Sequence, residues 1–151
     1  ESYVFGGIKM GYCMNLEEST ASFKVRNASK ILKAIKDLHG NETIEDGSGR
    51  HFSWVNNEFY EINGIKKMFN EWRWEIEHQG KDYLITEFLG EKLGNEEVLF
   101  KAIAPYMNDG HIIMRGEDGA VWKWKFQKGR LGEYSGKVIF ADEFHISVND
   151  D

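Results

Sequence analysis

The chain has 151 residues, 41% of them hydrophobic and 14% aromatic, which suits one domain with a real core and excludes general disorder. Its 19 basic and 25 acidic residues give a formal net charge of −6. That balance argues against nonspecific nucleic-acid binding, which needs a basic surface.

The charges are mixed along the chain, so a local basic patch, or an acidic one that mimics phosphate, stays open. Cys13 is the only cysteine, so an internal disulfide and a cysteine-based zinc cluster are excluded. No apolar run approaches a membrane span and no signal peptide is visible. A reducing, cytoplasmic compartment is expected.

Glu1 to Lys9 read as a lead-in or an added strand, with Met10 a candidate native start. Ile8, Met10, Tyr12, Met14 and Leu16 alternate with Lys9, Gly11, Cys13 and Asn15. Period two marks a strand with one apolar face. Glu17 to Thr20 read as a polar break, and Ala21 to Val25 as a second extended piece. Asn27 is placed to cap a helix in which Ala28, Ile31, Leu32, Ile35 and Leu38 follow helical spacing. Lys36 and His39 suit its C-terminal end, and Gly40 stops it.

Residues 41–50 form a polar loop that is either a plain connection or a binding loop. His51 to Val55 predict a short strand, and Phe59, Ile62, Ile65, Phe69 and Trp72 a second helix with Gly64 inside it. Trp74, Ile76 and His78 alternate with Glu75 and Glu77, then Gln79 to Asp82 turn into Tyr83 to Leu89, giving a hairpin. Gly94-Asn95 open a third helix with Glu96 and Glu97 in its first turn and a buried stripe of Val98, Leu99, Ala102 and Ile103. Pro105 ends or kinks it.

His111 to Arg115, then Ala120, Trp122, Trp124 and Phe126 alternating with Val121, Lys123, Lys125 and Gln127, then Leu131 to Tyr134, predict an antiparallel meander. Asp118-Gly119 and Lys128-Gly129 supply its turns. Ser135-Gly136 turn into a further strand of Lys137 to Phe140, and Phe144 to Val148 read as an added edge strand. The expected architecture is one α+β domain over residues 10–148, with a loose tail at 149–151. Three helices pack on a mainly antiparallel sheet, and the first half leaves room for a ferredoxin-like core.

Several constellations carry chemistry on paper. Trp72, Trp74, Trp122 and Trp124 suit an aromatic platform for bases or sugars, or simply a core between helix and sheet. Lys123, Lys125, Lys128 and Arg130 suit phosphate or an acidic protein partner, or a solvated sheet face whose lysines blunt edge pairing. Glu117 and Asp118, with Asp109 nearby, suit a hard cation or plain turn chemistry. His39, His51, His78, His111 and His145 form no recognised metal-ligand pattern. His78 and His111 are placed to approach each other at strand ends, as a metal pair or as one half of a His–Glu acid/base pair with Glu75 or Glu77. Cys13 has no indicated base. No nucleophile elbow, phosphate-binding glycine loop or dinucleotide fingerprint occurs. No metal and no cofactor are expected.

The run Ala102-Ile103-Ala104-Pro105-Tyr106, with Asp109-Gly110, Ile112 to Arg115, Gly116-Glu117-Asp118-Gly119, Trp122 to Phe126 and Gly129, resembles small proteins of bacteriophages and mobile elements of Gram-positive bacteria. Met10-Gly11-Tyr12 and the aromatic Phe52-Ser53-Trp54 fit the same pattern. The likeness is strong over residues 102–129, loose over 10–72, and absent from 1–9. It implies a phage or prophage origin and a host-cell cytoplasmic setting. It carries no accepted reaction and transfers no catalytic residue. The expected function is a non-enzymatic binding protein that occupies a host protein or sequesters a small host ligand, as anti-defence inhibitors do, an anti-CRISPR being one version. An immunity protein against a toxin, and an enzyme acting on nucleotides or nucleic acid through His51 or His78, are the alternatives.

Overall fold

A computed structural model describes residues 3–5, 8–40, 51–137 and 139. Its strands are β1 (Tyr3–Phe5), β2 (Ile8–Met10), β3 (Met14–Ser19), β4 (Ser22–Lys24), β5 (Trp74–Gln79), β6 (Asp82–Phe88), β7 (Gly110–Gly116), β8 (Val121–Gln127) and β9 (Arg130–Ser135). Its α-helices are α1 (Ala28–Gly40), α2 (Ile65–Glu71) and α3 (Glu96–Ile103).

β1 and β2 form a two-stranded hairpin. The remaining strands form two antiparallel sheets, ordered β3-β7-β8-β9 and β4-β6-β5. One extended run, Met14 to Lys24, belongs to both. Thr20 N–H donates to His111 O of β7 at 2.8 Å, and the next carbonyl, Ala21 O, accepts from Ile85 N–H of β6 at 2.9 Å. At the other end Met14 N–H reaches Glu91 O at 2.8 Å and Leu93 N–H reaches Tyr12 O at 2.7 Å. The spatial order is therefore β9-β8-β7-β3/β4-β6-β5. With α1 and α3 as the two crossovers, its first four chain segments have the split βαβ connectivity of a ferredoxin-like core, and β8 and β9 extend one edge. This is an α+β fold.

The helices and the inner sheet face close on one core. α1 contributes Ile31, Ile35 and Leu38, α3 contributes Leu99, Phe100 and Ile103, and the strands contribute Met14, Phe23, Trp74, Ile76, Ile85, Ile112, Met114, Trp124 and Phe126. Phe100 sits at the centre, with ring centroids 5.2 Å from Trp74, 5.1 Å from Trp124 and 5.6 Å from Phe126. Edge-to-face contacts of this kind add to the area each ring buries. Three of the four tryptophans named as a platform, Trp72, Trp74 and Trp124, are core residues. Trp122 is half-buried at the rim.

Local departures from the sequence expectations have local causes. The single strand expected over 8–16 is split at Gly11, whose φ of 75° turns the chain. The polar break at Glu17 to Thr20 is instead strand as far as Ser19, with a bulge between Leu16 and Glu18. Asn27 does not cap α1. It lies in a 3₁₀ turn, and its amide donates to Tyr106 O at 3.3 Å. His51 to Val55 are not a strand, because Trp54 takes φ 68°. The second helix is two pieces, a 3₁₀ turn at Phe59–Glu61 and α2, because Gly64 is extended and starts α2 afresh. The 41–50 loop and the strand of 144–148 lie outside the described residues, as do positions 138 and 140 of the 137–140 strand.

Candidate anion-binding face

Alternation along the meander sends Trp124 and Phe126 inward and Val121, Lys123 and Lys125 outward. Cross-strand register then fixes their neighbours, since directly paired residues share a face. Lys123 pairs with Ile113 of β7 and Tyr134 of β9, Lys125 with His111 and Gly132, and Gln127 with Arg130. One outer face therefore carries Lys123, Lys125 and Arg130. β8 lies inside its sheet, between β7 and β9. Its lysines consequently do not serve to blunt an edge.

The basic side chains of the adjoining β7 already have carboxylate partners. Arg115 Nε lies 2.6 Å from Glu17 Oε1, and His111 Nε2 lies 2.5 Å from Glu18 Oε2. Among the described residues no carboxylate stands within ion-pairing distance of Lys123, Lys125, Lys128, Arg130 or Lys137. Glu133, the nearest acid on β9, faces the other way and accepts from Trp124 Nε1 at 2.9 Å.

Between β7, β8 and the end of β9 lies an open groove of about 420 Å³, floored by Ile113 and Val121; Trp122 borders it but turns its ring to the core side, against Tyr12 and Trp124. Lys123, Lys125, Lys137 and Tyr134 stand around it. Tyr134 is 51% exposed. Its ring leans back across Gly132, where a Cβ would stand only 2.8 Å from Cε2. Lys123 Nζ is 6.0 Å from the ring centroid. The floor, Tyr134 and Lys137 were not singled out from sequence. They were available from register, because each follows the parity opposite to the core aromatics or closes the meander.

Lys128 sits in the β8–β9 turn with φ 51°, its N–H donating to Asp109 Oδ1 at 3.0 Å. Glu117 and Asp118 are at the opposite end of β8 and take no part in the groove. Glu117 Oε1 accepts Cys13 N–H at 2.6 Å, and its own N–H donates to Cys13 O at 2.9 Å. Asp118 accepts the Tyr12 hydroxyl and, at 3.0 Å, Ala120 N–H. Burial, then the Asp118 carboxylate, push the Tyr12 phenol up to about 12. Tyr12 itself covers Gly116, where a Cβ would overlap the hydroxyl. These acids do turn chemistry and staple the segment ahead of β3 to the meander.

The histidines do not meet as a pair. His78 Nε2 is engaged by Gly80 O at 2.8 Å and its ring lies 5.2 Å from Tyr83, whereas His111 is engaged by Glu18 in the other sheet. Glu75 and Glu77 bond to amide groups of Asn70 and Gln79. Among the described residues no group of three or more His, Cys, Asp or Glu side chains could hold a metal.

One charged pair was missed from sequence altogether. Glu96, expected as a first-turn acid that suits the helix dipole, is only 2% exposed. One oxygen accepts from Arg73 Nη2 and the other from Gly94 N–H at 2.7 Å. Arg73 also donates to Lys92 O at 2.7 Å and lies 5.0 Å from the Phe88 ring centroid and 6.0 Å from that of Trp54. Burial pushes the Glu96 carboxyl up, and Arg73 pulls it back. Arg73 has φ 74°, and Gly90 and Gly94 leave the space its guanidinium fills. This is a strut between the α2–β5 corner and the segment leading into α3.

No helix among the described residues is long and apolar enough to cross a membrane. Compared with protein families, curated proteins and solved structures, the chain matches nothing.

Proposed function

We propose that the chain is a non-enzymatic binding protein that captures an anionic host component through the outer face of β7, β8 and β9. The observation that carries this reading is the contrast along that face. Arg115 and His111 have carboxylate partners, while Lys123, Lys125 and Lys137 around the groove have none among the described residues. Unpaired cations ringed around an apolar floor favour and orient an anion by electrostatic complementarity. The sequence likeness to phage and mobile-element proteins gives the biological setting. There the protein would act by occupying a component of a host defence system, a CRISPR effector being one version.

The test is a pull-down from host lysate with the wild type and the double variant Lys123→Glu/Lys125→Glu, alongside a phage-plating assay on cells expressing either. The wild type is expected to capture a component and to raise plating on a defended host, and the double variant to do neither. Capture by the double variant at wild-type level sinks the reading. Substrate turnover by the wild type that is lost in His111→Ala would overturn its non-enzymatic part.

A further inference from the structure

We infer that the anionic group taken by the groove belongs to a nucleoside phosphate, whose base stacks on Tyr134 while its phosphate is held by Lys123, Lys125 and Lys137. This rests on the proposed role of the face and narrows its ligand. Lysines alone would accept any anion, carboxylate or phosphate. Tyr134 adds the selection. Because position 132 is glycine, the Tyr134 ring lies along the strand instead of standing off it. One side of the ring leans on Gly132 and the residue is still half exposed, so a planar surface is offered, with Lys123 Nζ over it at 6.0 Å from the centroid. A base has such a π-face and a carboxylate side chain does not, and base–aromatic stacking is independent of sequence. The apolar floor of Ile113 and Val121 continues that surface toward the sheet. The groove, at about 420 Å³, falls within the roughly 300–1,000 Å³ of small-ligand sites.

The net charge of −6 decides the length of the ligand. That overall charge disfavours a long nucleic acid, which needs a continuous basic surface. A single nucleotide, free or at the end of a strand, stays within a screening distance of about 8 Å of the lysines. The salt dependence should therefore be shallow, that of two or three contacts.

Isothermal titration calorimetry, with intrinsic tryptophan fluorescence as a second readout, is run against ADP, inorganic pyrophosphate, hexaglutamate and a six-nucleotide single-stranded DNA. ADP is expected to bind at least tenfold more tightly than pyrophosphate. Tyr134→Ala should lose about tenfold for ADP, as expected for one stacked base, and nothing for pyrophosphate. Tyr134→Phe should keep the wild-type affinity. Gly132→Val, which lifts the ring without removing it, should behave like Tyr134→Ala. Tighter binding of the oligonucleotide than of ADP assigns the nucleotide to a strand, and equal or weaker binding assigns it to a free nucleotide. ADP binding no tighter than pyrophosphate or hexaglutamate, or unchanged in a folded Tyr134→Ala, overturns the inference. Those results leave the anion-binding face standing, and that face fails only if Lys123→Glu/Lys125→Glu still captures its component.

Discussion

Arg73 and Lys123 are both cations beside an aromatic ring, and the protein treats them in opposite ways. Arg73 has a side chain only 13% exposed, donates to Glu96 and Lys92 O, and lies against Phe88. Lys123 lies near Tyr134 and has no carboxylate partner among the described residues. A charge removed from water must be paired, or its desolvation cost falls on the fold. A charge left in water carries no such obligation and is free to meet something else. Pairing, rather than charge itself, separates the residues that hold this molecule together from those available to a partner.

The sharpest way to break the comparison is to unpair the buried side. Arg73→Ala leaves the Glu96 carboxylate buried with only backbone N–H donors, those of Gly94 and of Glu96 itself, and should cost about 3–5 kcal/mol in urea unfolding at neutral pH. The sign of its pH dependence follows from the carboxyl. Glu96 already sits above its ordinary 4.5 through burial, and loss of Arg73 raises it further. A folded-state value above the unfolded one means stability is greatest below the unfolded value and falls as pH rises. The deficit of Arg73→Ala should therefore shrink as pH is lowered toward 4.5. A deficit independent of pH would mean that lost packing, and not a stranded charge, is responsible.

The staple at the far end of β8 is intermediate, a charged group paired near the surface. Tyr12→Phe removes the hydroxyl that Asp118 accepts, an interaction with a charged acceptor, and should cost about 1.5–3 kcal/mol. In the wild type the phenol is raised from 10.0 to about 12. Stability should hold below pH 10 and decline as pH rises toward 12, because the unfolded chain loses its proton first. Melting temperature followed across that range should fall for the wild type. Tyr12→Phe should lack that part of the fall.

These contrasts also explain what could be read from the chain. The meander was legible because Trp122, Trp124 and Phe126 keep strict parity against Lys123 and Lys125, and a two-residue period has one interpretation. α1 was legible because Ile31, Ile35 and Leu38 hold helical spacing over about two turns. The strut was not legible. Glu96 obeys the rule for a first-turn acid, and nothing near Arg73 in sequence reveals Glu96, Phe88 or the space left by Gly90 and Gly94. Trp54 misled for a similar reason, since its left-handed backbone goes with contacts to Leu93 and Gly94, which are remote in sequence. Lys123 and Lys125 were found from sequence, but Tyr134 became visible only with the register that sets it beside Lys123 and the glycine beneath it.

The smallest expected effect on folding is also the most informative. Lys123→Glu/Lys125→Glu changes two half-buried side chains whose stems lie on the sheet and whose charges touch no carboxylate among the described residues. Surface changes of this kind usually stay within about 0.5 kcal/mol. The melting temperature should therefore barely move, while binding to an anion is lost. New carboxylates near Arg115 and His111 also compete with Glu17 and Glu18 for the β7 cations, so any shift should be slight and of either sign. If the double variant were instead strongly destabilised, the lysines would be doing structural work like that of Arg73, and the distinction between paired and unpaired cations would no longer mark the functional face.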